Sequence, residues 1–132
     1  MKCLNRRNRE TMERLTEGLA DPSGEGESSR TIDRGGAGIM AVHVERIGKS
    51  RYSVAHYYKS NGDLVADPDV EFVHLNGEWI PVAIQEPIGG YRVAVQCDAS
   101  GNPVRWSLRE QADLARFSNT LIANIREQQR IE

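Results

Sequence analysis

The sequence predicts an α+β fold: an antiparallel sheet of about four to five hairpin-connected strands, with an N-terminal helix and a long C-terminal helix packed on one face. Apolar residues recur at helical spacing near both ends of the chain, and they alternate with polar residues through its middle. Asn-Gly pairs separate the alternating segments, and strands joined by turns this short must run antiparallel. We predict an N-terminal helix and flexible linker over residues 1–36 and the α+β domain over residues 37–132, within a single domain overall.

The N-terminal part divides into a helix and a linker. From Leu4 to Ala20, Met12, Leu15 and Leu19 recur among charged residues, which predicts a helix with a thin apolar stripe. The following segment, 21–36, is rich in Gly, Ser and charge, so it can bury almost nothing. We therefore expect a mobile linker there.

Five strands are predicted after Gly38, where the apolar period becomes two. Asn61-Gly62 and Asn76-Gly77 are hairpin turn signals, because both residue types accept the positive φ angles of tight turns. Pro81 has no N–H group to donate, which predicts either an edge strand or a bulge at that position. The predicted strands cover residues 40–45, 52–58, 70–75, 78–84 and 91–97.

The C-terminal helix is predicted from Leu108 to about Gln128. Ser107 and Glu110 have the spacing of a capping box, in which each side chain satisfies a free backbone N–H group of the other residue. One face carries the residues Leu114, Phe117, Leu121, Ile125 and Gln128.

Composition limits the classes of function. The 132 residues can bury a real core, and the net charge of −2 gives no overall basic field for nucleic acid or an anionic membrane. There is no signal-peptide pattern and no apolar run of membrane-spanning length. Cys3 and Cys97 are too few for a disulfide framework or a zinc knuckle. We therefore expect a cytoplasmic protein without a cofactor or a membrane partner.

Three histidines, His43, His56 and His74, are candidates for acid–base or metal chemistry, but each lies on a different predicted strand. With even pairing across the first hairpin, His56 shares a face with Val42 and Val44. A shift of one residue instead places His43 opposite His56. We predict ordinary sheet histidines and no metal site.

The segment 63–71 contains four carboxylates, Asp63, Asp67, Asp69 and Glu71, which are oxygen ligands of the kind that Mg²⁺ or Ca²⁺ prefers. Their spacing does not match an EF-hand loop, and Asp also occurs in turns for local reasons. No nucleophile elbow or phosphate-binding glycine loop accompanies them. Enzymatic activity is therefore less expected than binding, and the enzymatic alternative is a metal-dependent hydrolase that uses His56 with Asp63 or Asp67.

The run from Tyr52 to Phe72, which contains Ser-Val-Ala-His-Tyr-Tyr, Asn-Gly-Asp-Leu and Asp-Pro, resembles an uncharacterised family of small bacterial proteins, many carried by phages, plasmids and integrated elements. Trp79-Ile80-Pro81-Val82 continues the resemblance, which covers roughly residues 38–129. The resemblance implies a small accessory protein that binds a host or element protein, for instance to inhibit a host defence complex.

The leading hypothesis is thus a non-enzymatic protein-binding module. Between residues 52 and 87 there are six acids and one base, which favours a basic partner. The predicted protein-binding residues are Asp63, Asp67, Asp69, Glu71, Tyr57 and Tyr58. The alternative is nucleic-acid binding by Arg6, Arg7, Arg9 and Arg14 on the first helix. A homodimer, through either the Pro81 strand or the first helix, is a further expectation that the sequence leaves open.

Overall fold

The computed structural model describes the backbone of residues 1–132 and all side chains except that of Lys59. Helix α1 (Arg6–Thr16) begins after Asn5, whose side chain accepts a hydrogen bond from the backbone N–H of Asn8 at 2.9 Å. Helix α2 (Leu108–Gln128) begins after Ser107, whose side chain accepts from the backbone N–H of Glu110 at 3.3 Å. The predicted bounds of α2 are confirmed, and its serine cap stabilises the first turn.

Eight strands lie between the helices, more than the four to five predicted, while the α+β class is confirmed. Six of them form one antiparallel sheet in the order β1-β2-β3-β4-β5-β6, and the last two form a separate hairpin. The strands are β1 (Ser29–Ile32), β2 (Val42–Arg46), β3 (Arg51–Ser60), β4 (Asp63–Leu75), β5 (Glu78–Glu86), β6 (Gly90–Val93), β7 (Val95–Cys97) and β8 (Pro103–Trp106).

Both helices pack on one face of the six-stranded sheet. The core there includes Met12 and Leu15 from α1, Ile122 and Ile125 from α2, and Phe72 from β4. Alternation along the strands directs one set of side chains to this face and the other set away from it. We call the two sides the helix face and the open face.

The open face is covered in part by the β7–β8 hairpin. Val73 and Ile80 from the sheet pack there with Val95 of β7 in a second, smaller apolar cluster. The rest of the open face is polar, and it carries the candidate site described below.

The structure corrects the predicted linker and decides between the two alternatives predicted for Pro81. Strand β1 lies inside the segment predicted as a linker and pairs with β2. Pro81 lies on β5, an interior strand between β4 and β6, so the edge-strand alternative is wrong. The pairing of β4 with β5 shifts register beside Pro81, which confirms the bulge alternative.

The predicted strand 91–97 is divided in two. Strand β6 ends at Val93, and β7 begins at Val95 in the second sheet. Ala94 lies between them, and its N–H still donates to the carbonyl of Val82 at 2.8 Å. A strand that changes sheets keeps its alternation, and the apolar pattern alone therefore cannot reveal the break.

Candidate functional site

The β3–β4 hairpin extends beyond its neighbours in the sheet. Pairing of β2 with β3 ends at His56, and pairing of β5 with β4 ends at Asp69. Beyond these points, in the described structure, the two strands pair only with each other, from Tyr57↔Ala66 to the turn at Asn61-Gly62. Both turn residues have positive φ angles, 53° and 87°, which confirms the predicted hairpin turn. We call residues 57–68 the hairpin arm.

The arm carries two exposed apolar side chains and two exposed acids. Tyr58 is 39% exposed and Leu64 is 67% exposed. Asp63 and Asp67 are also exposed, and none of the ion pairs in the described structure involves them. Four of the predicted protein-binding residues, Tyr57, Tyr58, Asp63 and Asp67, therefore lie on one projecting element.

Asp69 and Tyr57 lie at the base of the arm, on the open face. Ser53, on β3, donates its hydroxyl hydrogen to Asp69 Oδ1 at 2.5 Å. Burial raises the pKa of Asp69 most, the bond from Ser53 acts in the opposite direction, and the charges of Glu71 and Glu45 raise it further. Burial makes the largest contribution to raising the pKa of Tyr57, and the charge of Asp69 raises it further.

Glu71 is engaged differently from the acids of the arm. Arg51 donates from Nε to Glu71 Oε1 at 2.9 Å, and Arg51 Nη2 lies 2.8 Å from the same oxygen. The pKa of Tyr91, on β6, is raised chiefly by burial and then by the Glu71 charge. The negative charge of Glu71 is thus balanced by Arg51 within the sheet, unlike the charges of the exposed carboxylates of the arm. We call Ser53, Asp69, Glu71, Arg51 and Tyr91 the polar base of the arm.

Sequence reasoning missed three members of this base, Arg51, Ser53 and Tyr91. The signal for the first two was available, because a period of two places them on the same face as Tyr57. Tyr91 joins them only because β6 pairs with β5 at the far side of the sheet, and no local pattern predicts this.

The three histidines lie in three different environments. Val42 pairs with His56, so the even register is confirmed and the alternative that placed His43 opposite His56 is wrong. His56 is buried, its Nε2 has no hydrogen-bond partner in the described structure, and burial lowers its pKa while the Asp67 charge acts in the opposite direction.

His43 and His74 belong to other clusters. The Nδ1 atom of His43 lies 3.0 Å from the Thr31 hydroxyl oxygen. The His43 and Tyr57 rings are in a T-shaped arrangement with their centroids 5.2 Å apart. His74 stacks on Trp79 with ring centroids 4.0 Å apart, and its Nε2 is 3.4 Å from Glu13 without hydrogen-bond geometry. Among the described side chains, no three His, Cys, Asp or Glu residues come together in a group that could hold a metal ion.

The predicted nucleic-acid-binding arginines of α1 divide into two kinds. Arg6 pairs with Glu10 at 3.3 Å, and Arg9 pairs with Glu78 at 2.8 Å. Arg7 and Arg14 instead line grooves at the end of the molecule where the two helices meet β1 and the last residues of the chain. The structure therefore does not bring the four arginines together as one stripe.

Comparison with known proteins identifies the family. Across the described residues, no helix combines the length and apolar character needed to span a bilayer. Neither the curated proteins nor the solved structures gave a significant match. A family model matches residues 11–131, which include the linker and most of α1 as well as the region of the sequence resemblance. The chain therefore belongs to the family described as Domain of unknown function (DUF6908).

Proposed function

We propose that this protein is a protein-binding module and that the hairpin arm is its contact surface. The observation that carries the proposal is the pairing of the arm strands only with each other in the described structure, with Tyr58 exposed on one face of the arm and Leu64 exposed on the other. A two-stranded projection offers free backbone N–H and C=O groups on both edges, to which a partner strand can add. Tyrosine is also among the residues that most often dominate binding energy at interfaces.

The acids of the arm favour a partner with a basic, partly apolar surface. Exposed carboxylates such as Asp63 and Asp67, which form no ion pair with any described side chain, steer a positively charged partner and reject an acidic one. The polar base supports this role, because its hydrogen bonds fix the strands from which the arm projects. The sequence resemblance to proteins of mobile elements adds one class of partner, a host complex such as a defence system that the module would inhibit.

The proposal is tested by capture with matched variants. Tagged protein would be incubated with lysate of its native host, treated with nuclease, and the captured proteins quantified by mass spectrometry. The variant Tyr58→Ser/Leu64→Ser should lower the yield of a stoichiometric partner by at least about tenfold, because it removes the exposed apolar side chain from each face of the arm. The control Ile88→Ser/Val104→Ser removes side chains that are 91% and 60% exposed elsewhere on the surface, and it should capture as the wild type does. Equal capture by the folded arm variant and the wild type would contradict the proposal.

A further inference from the structure

Six arginines line adjoining grooves at the end of the molecule where the two helices meet β1. They come from three segments that are far apart in the sequence: α1, β1 with the loop after it, and the end of α2. Three adjoining grooves of about 420, 520 and 430 Å³ are lined by them and share Ile131 and Glu132. The arginines are Arg7, Arg14, Arg30, Arg34, Arg126 and Arg130.

None of these six guanidinium groups has a carboxylate oxygen within 4.0 Å in the described part of the chain. Five other arginines do have one, among them Arg51 and Arg92. Five glutamates, Glu10, Glu13, Glu17, Glu127 and Glu132, also line the three grooves. The excess of positive charge is therefore concentrated in one groove, where four arginines face only Glu17 and Glu132. Like charges held together repel each other, and a bound anion would relieve that repulsion.

Three of the arginines are held in place by neutral oxygens. Arg30 donates to the carbonyls of Leu15 and Glu17 at the end of α1. Arg126 donates to Asn8 Oδ1 at 2.7 Å and to Thr11 Oγ1 at 3.1 Å. Arg130 donates to the carbonyl of Arg34. These bonds use some donors of each guanidinium and fix its position, and the charge remains uncompensated.

The guanidinium groups of the other three, Arg7, Arg14 and Arg34, make no hydrogen bond in the described structure, so all their donors are available. Burial and then the charge of Arg7 lower the pKa of Arg126, which is the direction expected where cations crowd each other. The grooves are therefore lined by two kinds of guanidinium group. Some are held in place by protein oxygens, and the N–H donors of the others have no partner in the described structure.

The largest of the three grooves, at about 520 Å³, has the size of a small-molecule site. Arg14, Arg30, Arg34 and Arg130 line it, against the two acids Glu17 and Glu132. No aromatic side chain lines any of the three grooves, so a base would have no ring on which to stack. Guanidinium groups match phosphate oxygens with paired N–H donors, and this favours phosphate as the recognised group.

We propose that this groove binds a compact anion carrying two or more linked phosphate groups, held by Arg14, Arg30, Arg34 and Arg130. The acids around the groove favour a compact ligand over a long nucleic-acid strand, which would have to pass Glu17 and Glu132 as well. The site is independent of the hairpin arm and of the protein-binding function proposed above.

Isothermal titration of the full chain with inorganic tripolyphosphate at low salt tests the proposal. The wild type should bind one equivalent with saturation. Arg14→Gln/Arg34→Gln should weaken binding by at least about tenfold, because it removes two charge-assisted phosphate contacts while leaving the structural bonds of Arg30 and Arg130 intact. Glu132→Gln should tighten binding several-fold, because it removes a facing negative charge.

The matched control is Arg105→Gln/Arg109→Gln, which removes the same charge from two exposed arginines elsewhere on the surface, Arg105 on β8 and Arg109 in the first turn of α2. This variant should bind tripolyphosphate as the wild type does. Three results would each overturn the proposal: no saturable binding, an equal loss in both double variants, or binding of oligonucleotides through Arg14 and Arg34 without binding of tripolyphosphate. Circular dichroism of every variant confirms that a loss of binding is not a loss of folding.

Discussion

Asp69 lies where the hairpin arm leaves the six-stranded sheet, and its carboxyl group links strands β3 and β4 at that point. Its backbone is the last part of β4 that pairs with β5, and its side chain accepts a hydrogen bond from Ser53 of β3. A partly buried carboxyl that accepts a hydroxyl hydrogen from the neighbouring strand fixes both strands at one point. Changes at Asp69 should therefore report on the base of the arm and not on its exposed tip.

Replacing Asp69 by Asn should change stability in a pH-dependent way. Because burial raises the pKa of Asp69 in the folded protein, the folded state binds more protons than the unfolded state above the ordinary value of 3.8. The stability that wild-type Asp69 contributes is therefore complete below pH 3.8 and is lost as the pH rises through the folded pKa. Asn does not titrate, so the melting temperature of Asp69→Asn relative to wild type should rise with pH over this window.

Thermal melts of both proteins from pH 3.5 to 7 measure this difference. Ser53→Ala is the companion variant, because the Ser53 bond lowers the pKa of Asp69 and its loss should move the pH dependence upward. A difference between Asp69→Asn and wild type that stays constant, or that falls as the pH rises, would show that burial does not disfavour the Asp69 charge.

At the residue scale, local pattern predicted some positions and failed at others for a physical reason. Alternation left two registers open for the first hairpin, and the structure has the even one, with His56 on the face of Val42 and Val44. Gln111 is buried because its amide accepts from the backbone N–H of Lys2 at 2.7 Å and donates to the carbonyl of Lys2 at 2.7 Å. That partner lies 109 residues away, so the sequence around Gln111 contains no sign of it. Phe117 is an error in the other direction, because it was predicted on the buried face of α2 but its side chain is 41% exposed.

At the scale of elements, prediction succeeded where a boundary is set by nearby residues. Helix α2 begins after Ser107 because the serine satisfies a backbone N–H of the first turn. The reciprocal bond of the predicted capping box, from the Ser107 N–H to the Glu110 side chain, is not among the hydrogen bonds of the described residues. Strand β1 was missed because its four residues, Ser29–Ile32, gain their structure from pairing with β2 and not from an apolar pattern of their own.

Removing the cap of α2 should destabilise the protein by a modest, defined amount. Ser107→Ala leaves the Glu110 N–H without its partner, and we expect a loss of about 1 kcal/mol in the free energy of unfolding. Ser107→Asp keeps an acceptor at the same position and adds a negative charge at the helix N-terminus, so it should match or exceed wild-type stability. Urea denaturation followed by circular dichroism measures all three proteins. Equal losses in the Ala and Asp variants would show that the hydroxyl bond is not the source of the stability.

At the scale of the whole molecule, α1 is joined to the sheet and to α2 by apolar and polar contacts. Met12 and Leu15 are fully buried in the core that Phe72 and Ile122 share. Asn8 is buried as well, and its amide donates to Asn119 on α2 at 2.8 and 2.9 Å. The sequence predicted the apolar stripe of α1 but could not predict its partner, since Asn119 lies 111 residues away.

Met12→Ala tests whether α1 and the sheet unfold as one unit. Truncation of this fully buried side chain removes apolar contact and leaves a cavity, so we expect the free energy of unfolding to fall by about 2 to 5 kcal/mol. Glu10→Ala is the control on the same helix, because its pair with Arg6 is exposed and should contribute less than about 1 kcal/mol. Circular dichroism reports the helices, while tryptophan fluorescence reports chiefly the environment of Trp79 in the sheet core. In one cooperative unit both signals shift together to the same lower urea midpoint. A Met12→Ala protein that loses helix signal at low urea while its fluorescence transition stays at the wild-type midpoint would show instead that α1 is a separate appendage.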